Sequence, residues 1–105
     1  KDVYLINSLS KVVSLSYACP EKFFSSSRPS SSWDVYSVGG ILYFLLCGRD
    51  PVPSTDRMKG IPLVFDEFTR KARRILDKSM SLVAEKRYSD ANDFRRALKS
   101  RFLGF

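Results

Sequence analysis

The stretch Val35-Tyr36-Ser37-Val38-Gly39-Gly40-Ile41-Leu42-Tyr43-Phe44-Leu45-Leu46-Cys47 decides how the rest of the chain must be arranged. It holds no charged residue, and its apolar side chains leave no polar face at any helical angle. A helix that is apolar all round is either a membrane span or the central post of a protein core. A span needs about 18 or more successive apolar residues, whereas this run is shorter and is bounded by Asp34 and Arg49. Ser32 is placed to cap the start, Asp34 suits the positive end of the helix dipole, and Gly48 can terminate the last turn. The reading is a buried central helix over residues 33–48, with other elements surrounding it.

Outward from this post the chain supplies those elements. Residues 1–13 alternate loosely through Val3, Leu5, Val12 and Val13 and read as a short strand followed by a connector. Residues 25–32 form a Ser-rich loop with Arg28 and Pro29 inside it, a segment that cannot bury itself. Residues 49–63 carry Pro51, Pro53, Gly60 and Pro62 and read as a loop. Over 64–80, Phe65, Phe68, Ala72, Ile75, Leu76 and Met80 fall on one helical face. There Asp66 and Glu67 each stand four residues before a base, Arg70 and Lys71. A last helix over 89–102 is expected to begin at Ser89 as N-cap and to bury Ala91, Phe94, Leu98 and Phe102. The fold expected is mainly α, one domain over 1–105, with little or no strand near the N-terminus.

A chain of 105 residues with 44% hydrophobic and 13% aromatic content is long and apolar enough to bury a core. It contains no histidine, which excludes His-based triads, His-ligated metals and imidazole acid–base chemistry. Its 2 cysteines make neither a disulfide scaffold nor a good zinc site and point to a reducing, cytoplasmic compartment. No signal-peptide pattern opens the sequence, and Lys1 is not an initiator Met, which leaves open the removal of an upstream segment. The net charge of +7 is concentrated after residue 50, where Arg70, Lys71, Arg73, Arg74, Lys78, Arg95, Arg96, Lys99 and Arg101 lie. Such a basic half suits nucleic acid, an anionic membrane or an acidic protein partner, and equally the solvated faces of two helices.

Three strings carry a family resemblance. Tyr17-Ala18-Cys19-Pro20-Glu21 resembles the end of a protein kinase activation segment. Trp33-Asp34-Val35-Tyr36-Ser37-Val38-Gly39-Gly40-Ile41-Leu42-Tyr43, closing in Cys47-Gly48-Arg49-Asp50-Pro51, resembles the kinase F-helix. Ala84-Glu85-Lys86-Arg87-Tyr88-Ser89-Asp90-Ala91 is similar to the segment that opens the last helix of that lobe. The three lie in the family's order and together cover nearly the whole chain, and the resemblance is to the C-terminal lobe of a eukaryotic-type Ser/Thr protein kinase. It implies the helical lower half of that lobe, with residues 1–24 as a degenerate activation segment. It also implies structural roles. Glu21 and Arg87 correspond to the buried ion pair that ties the activation segment to the late helices. Asp34 corresponds to the F-helix aspartate that accepts hydrogen bonds from catalytic-loop amides. Pro20 and Gly39 hold matching motif positions, and Ser14 stands where a substrate-contacting threonine usually lies.

The departures from the family govern the functional expectation. Phosphoryl transfer needs a Gly-rich loop over the phosphates, a phosphate-binding lysine, an Asp–Asn catalytic loop and a metal-binding Asp. The first three have no counterpart in these 105 residues, and at the fourth the chain offers Ile6, Asn7 and Ser8 without a carboxylate. Cys19, where the family has Ala or Ser, has no neighbour that would lower its pKa. The expectation is therefore no catalytic, cofactor-binding or metal-binding residue and no cofactor. The leading reading is a non-catalytic, pseudokinase-like module that scaffolds or binds protein. The alternatives are the C-terminal fragment of a kinase whose ATP-binding half lies elsewhere and a basic nucleic-acid binder, the last lacking any recognition motif. The missing upper elements would leave an apolar surface of Tyr17, Phe23, Phe24 and parts of the central helix, with Ser14 nearby, for a protein partner or for self-association.

Overall fold

The computed structural model describes residues 15–24, 28–66 and 70–103. The strand expected over 1–13, together with Ser14, Glu67 and Phe68, lies outside the described residues, which are mainly helical and contain no strand. Residues 15–17 are helical and lead into a 3-10 turn, Pro20–Phe23. The central helix α1 spans Ser31–Cys47, and a short α2 follows at Ser54–Arg57. Helix α3 spans Arg70–Ser79, a 3-10 turn covers Ala84–Lys86, and α4 spans Ala91–Leu98 before a π-helical turn, Lys99–Leu103.

Several boundaries differ from the expected ones, each for a local reason. Helix α1 starts two residues early: Ser30 is the extended N-cap residue, while Ser32 is already helical and its hydroxyl pairs with that of Ser30 at 2.8 Å. Ser31 ties the helix start to the last-helix region by donating to the Ser89 carbonyl at 2.9 Å. Gly48 ends α1 as expected, at φ 75°, where its amide donates to the Phe44 carbonyl and only glycine is unstrained. The loop expected over 49–63 contains α2. The helix expected from residue 64 does not begin there, because residues 61–66 are irregular. The Val64 carbonyl accepts from the Tyr43 hydroxyl at 2.6 Å and from Arg49 Nη2 at 2.9 Å, and Phe65 meets the edge of the Tyr43 ring at 5.5 Å. Tertiary partners thus take the groups that a first helical turn would have used. At the last helix the N-cap is Asp90, which accepts the Asp93 amide at 2.9 Å; Ser89, one residue earlier, hydrogen-bonds the Asp93 carboxylate.

Helix α1 packs against α3 and α4, and α3 against α4. Val35, Tyr36, Gly39, Gly40 and Tyr43 form the buried stripe of α1, recurring at helical spacing. Gly39 lets α1 approach the end of α3 closely, since a Cβ there would overlap Ser79 Oγ and lie 2.9 Å from Met80 Cγ. One side of this stripe joins Tyr36 and Tyr43 to Cys19, Leu63, Ala72, Leu76 and Met80. On the other side Val35 meets Ile75 and Phe94, and Phe94 stacks on Tyr88 with centroids 5.2 Å apart.

The expectation of a helix buried all round is overturned. Val38, Ile41, Phe44, Leu45 and Leu46 stand 44–68% exposed on α1. The reason is geometric. Helices α3 and α4 each offer a single apolar stripe, and two stripes meeting a post along one side cannot wrap it.

Candidate functional site

Two regions of the molecule carry the residues singled out by sequence: a charged lock behind α1 and an apolar face in front of it. In the lock, Pro20 is buried at the start of its 3-10 turn and fixes the backbone from which Glu21 projects. Glu21 and Arg87, 66 positions apart, meet in a two-pronged pair: Arg87 Nη1 donates to Oε2 at 2.5 Å and Nη2 to Oε1 at 2.7 Å. The Arg87 side chain is fully buried and that of Glu21 15% exposed. Two further guanidinium donors are used, Nε bonding the Ser81 carbonyl at 2.8 Å and Nη1 reaching Ser32 O at 3.4 Å. Burial alone would raise the Glu21 carboxyl, but the Arg87 hydrogen bonds and charge outweigh it and hold the carboxyl below its usual range.

Tyr36 forms the floor of the lock. Its ring lies 5.1 Å from the Arg87 guanidinium and 6.0 Å from that of Arg57. Its hydroxyl accepts from Arg57 Nη1 at 3.0 Å, and the same nitrogen donates to the Met80 carbonyl at 2.7 Å. Arg57 thus ties α2 to the end of α3, a role sequence reading missed; within a Pro-rich stretch it carried no periodic or motif signal. Cys19 is buried beside the lock, and burial pushes its thiol up, so it is a packing residue in its neutral form.

The other sequence-selected residues scatter. Asp34 sits exposed in the first turn of α1, its carboxylate without a hydrogen bond or ion pair among the described residues. Tyr17, expected on an open apolar surface, is instead half-buried and held. Its ring packs at Gly40, its carbonyl accepts from Ser37 Oγ at 2.9 Å, and its hydroxyl donates to Asp50 Oδ1 at 2.6 Å. Burial, then the Asp50 bond and charge, raise this phenol to about 12. Phe23 and Phe24 are exposed, 46% and 51%, and Ser14 lies outside the described residues.

The apolar face is the larger feature. Leu42, Leu45 and Leu46 of α1, Ala72, Ile75 and Leu76 of α3, and Leu98 of α4 line a recess of about 270 Å³ with hydrocarbon only. A neighbouring recess of about 180 Å³ shares Leu98 and runs past Val38 and Phe94 to Asp34 and Arg95. The signal for it was in the sequence: an all-apolar helix needs more apolar stripes than the flanking segments provide. No helix among the described residues is long and apolar enough to cross a membrane, and no cluster of three or more metal-ligating side chains comes together among them. Comparison with protein-family models, curated proteins and solved structures gave no match.

Proposed function

We propose that this chain is a non-catalytic, kinase-like C-lobe module that works by binding another protein. The observation that carries the binding half of this reading is the face of α1: five large hydrocarbon side chains, 44–68% exposed, beside a recess without a polar lining atom. Surfaces of that kind on a folded chain mark interaction sites. The kinase-like half rests on the three motif resemblances, and the buried Glu21–Arg87 pair is the contact they call for. The non-catalytic half rests on Ile6-Asn7-Ser8, which offer no carboxylate where the family's metal-binding Asp would stand.

A second reading keeps the same face and changes its cover: the chain is part of a kinase whose ATP-binding half packs on α1 from another segment. The purely hydrocarbon lining of the recess suits a permanent cover, which is what favours this alternative. Thermal unfolding with millimolar ATP and Mg²⁺, together with phosphoryl transfer to a generic acceptor, tests the module. Neither a shift in the transition nor transfer is expected. A reproducible shift, or labelled acceptor, would overturn the non-catalytic reading.

A further inference from the structure

The recess in front of α1 has a shape and an electrical setting that together select an occupant. Together with the neighbouring recess it runs along α1 from Asp34 to Leu46, about 18 Å of helix axis at 1.5 Å per residue. That matches three turns of a partner helix laid along it. The cleft is concave and brings together side chains of all three helices, Leu42 of α1, Leu76 of α3 and Leu98 of α4 among them. A bilayer surface would meet a convex ridge better than a cleft, while an amphipathic helix presenting residues at i, i+3, i+4 and i+7 fills a groove of this kind.

The charge of the walls gives the sign of the partner. Helix α3, which borders the cleft, carries five cations, Arg70, Lys71, Arg73, Arg74 and Lys78, against the single carboxylate of Asp77; they lie outside the recess lining, Arg73 pairing with Asp77 and Lys78 lying over the Tyr88 ring. The segment 91–103 carries four cations against the single carboxylate of Asp93. Arg95 lines the neighbouring recess, and it forms no ion pair with Asp34, the carboxylate lining that same recess. A second copy of this chain would bring an identical basic wall to the seam, and each copy carries a net charge of +7. Self-pairing is therefore opposed by the charges that an acidic partner would satisfy.

We infer that the α1–α3–α4 groove binds an acidic amphipathic helix of a partner protein, its apolar stripe in the groove and its carboxylates against the α3 and α4 walls. This rests on the binding-module reading and adds the chemistry of the partner. The probe is a labelled peptide of about 14 residues, with Leu at groove-facing positions and Glu elsewhere. Its binding to the full chain is followed by fluorescence anisotropy. Saturable binding is expected. It should weaken about tenfold or more in Leu45→Glu, which places a charge in the groove, and about tenfold in Arg95→Glu. It should be unchanged in Met58→Glu, an exposed position on another part of the surface. Raising the salt should weaken it, because the wall charges are solvent-exposed.

The same peptide with Lys in place of Glu should not bind. Equal binding of the Lys peptide, no saturable binding of either, or preferential binding of anionic phospholipid vesicles would each overturn the inference. Light scattering on the parent chain and on Leu45→Glu separates this from the broader reading. Self-association that Leu45→Glu abolishes, with no peptide binding, would sink the acidic-helix inference while leaving a protein-binding face intact.

Discussion

On one face of α1, Tyr36, Gly39 and Tyr43 are sealed against α3 and the preceding segments; on the other, Ile41 and Leu45 are 51% and 68% exposed. Both faces are apolar in sequence, so hydrophobicity does not distinguish them. Polar handles do. The sealed side carries two tyrosines whose hydroxyls are each engaged, Tyr36 by Arg57 and Tyr43 by the Val64 carbonyl, and it accepts glycines where helices touch. The bare side offers only hydrocarbon, which can be covered by any surface of the right shape and asks nothing of it in hydrogen bonds. The sealed face is marked by its engaged hydroxyls, and the bare face by their absence.

The sharpest way to break this comparison is through the lock that holds the sealed side. Glu21→Ala or Arg87→Ala strands a buried charge and should each cost about 3–5 kcal/mol, read from urea unfolding. That is a large part of the stability of a domain this size. The double substitution should cost much less than the two singles summed; additive losses would dissolve the pair as a unit. Arg87→Lys should also destabilise, since an ammonium cannot supply both prongs and the bond to Ser81. The same lock sets an acid limit. The Glu21 carboxyl is held below its ordinary value of 4.5, so its contribution is complete above that pH and is lost as pH falls through the lower, folded value. Acid unfolding of the parent should therefore be steeper in this range than that of the Glu21→Ala/Arg87→Ala double variant.

Smaller effects sharpen the contrast between the faces. Gly39→Val should cost about 1–3 kcal/mol by forcing Ser79 and Met80 apart from α1. Tyr17→Phe, which removes the bond to Asp50, should cost about 1 kcal/mol. In the parent, the Tyr17 phenol should titrate at about 12 by ultraviolet difference absorbance. On the bare face, Leu45→Ser should change stability by no more than about 0.5 kcal/mol. So should Arg73→Ala and Arg96→Ala, whose ion pairs with Asp77 and Asp93 lie at the surface. A core-sized loss at Leu45 would place that side chain inside the protein.

The sequence disclosed the parts that depend on local chemistry. The central helix, its Gly48 terminus and the buried face of α3 at Ala72, Ile75 and Leu76 were legible in residue type and spacing, whereas the meeting of Glu21 with Arg87 was expected only from the family resemblance. What was hidden depended on contacts far along the chain. Phe65 fits a helical stripe on paper, yet Tyr43 and Arg49 capture the neighbouring Val64 carbonyl and keep that segment irregular. Arg57 has no local signature, because its value lies in reaching Tyr36 and Met80. Tyr17 reads as surface until Gly40 and Asp50 are found beside it. The bare face was half legible: composition showed that α1 needs cover all round, but only the packing of α3 and α4 shows which side they leave open.

The central claim, one helix with a sealed and an open face, can be read directly from methyl NMR with a soluble gadolinium chelate, on chain kept dilute enough to be monomeric. The methyl signals of Ile41, Leu45 and Leu46 should broaden strongly, while those of Val35, Ile75 and Leu76 stay sharp. Protection of Ile41 and Leu45 equal to that of Leu76 in the monomer would contradict the account.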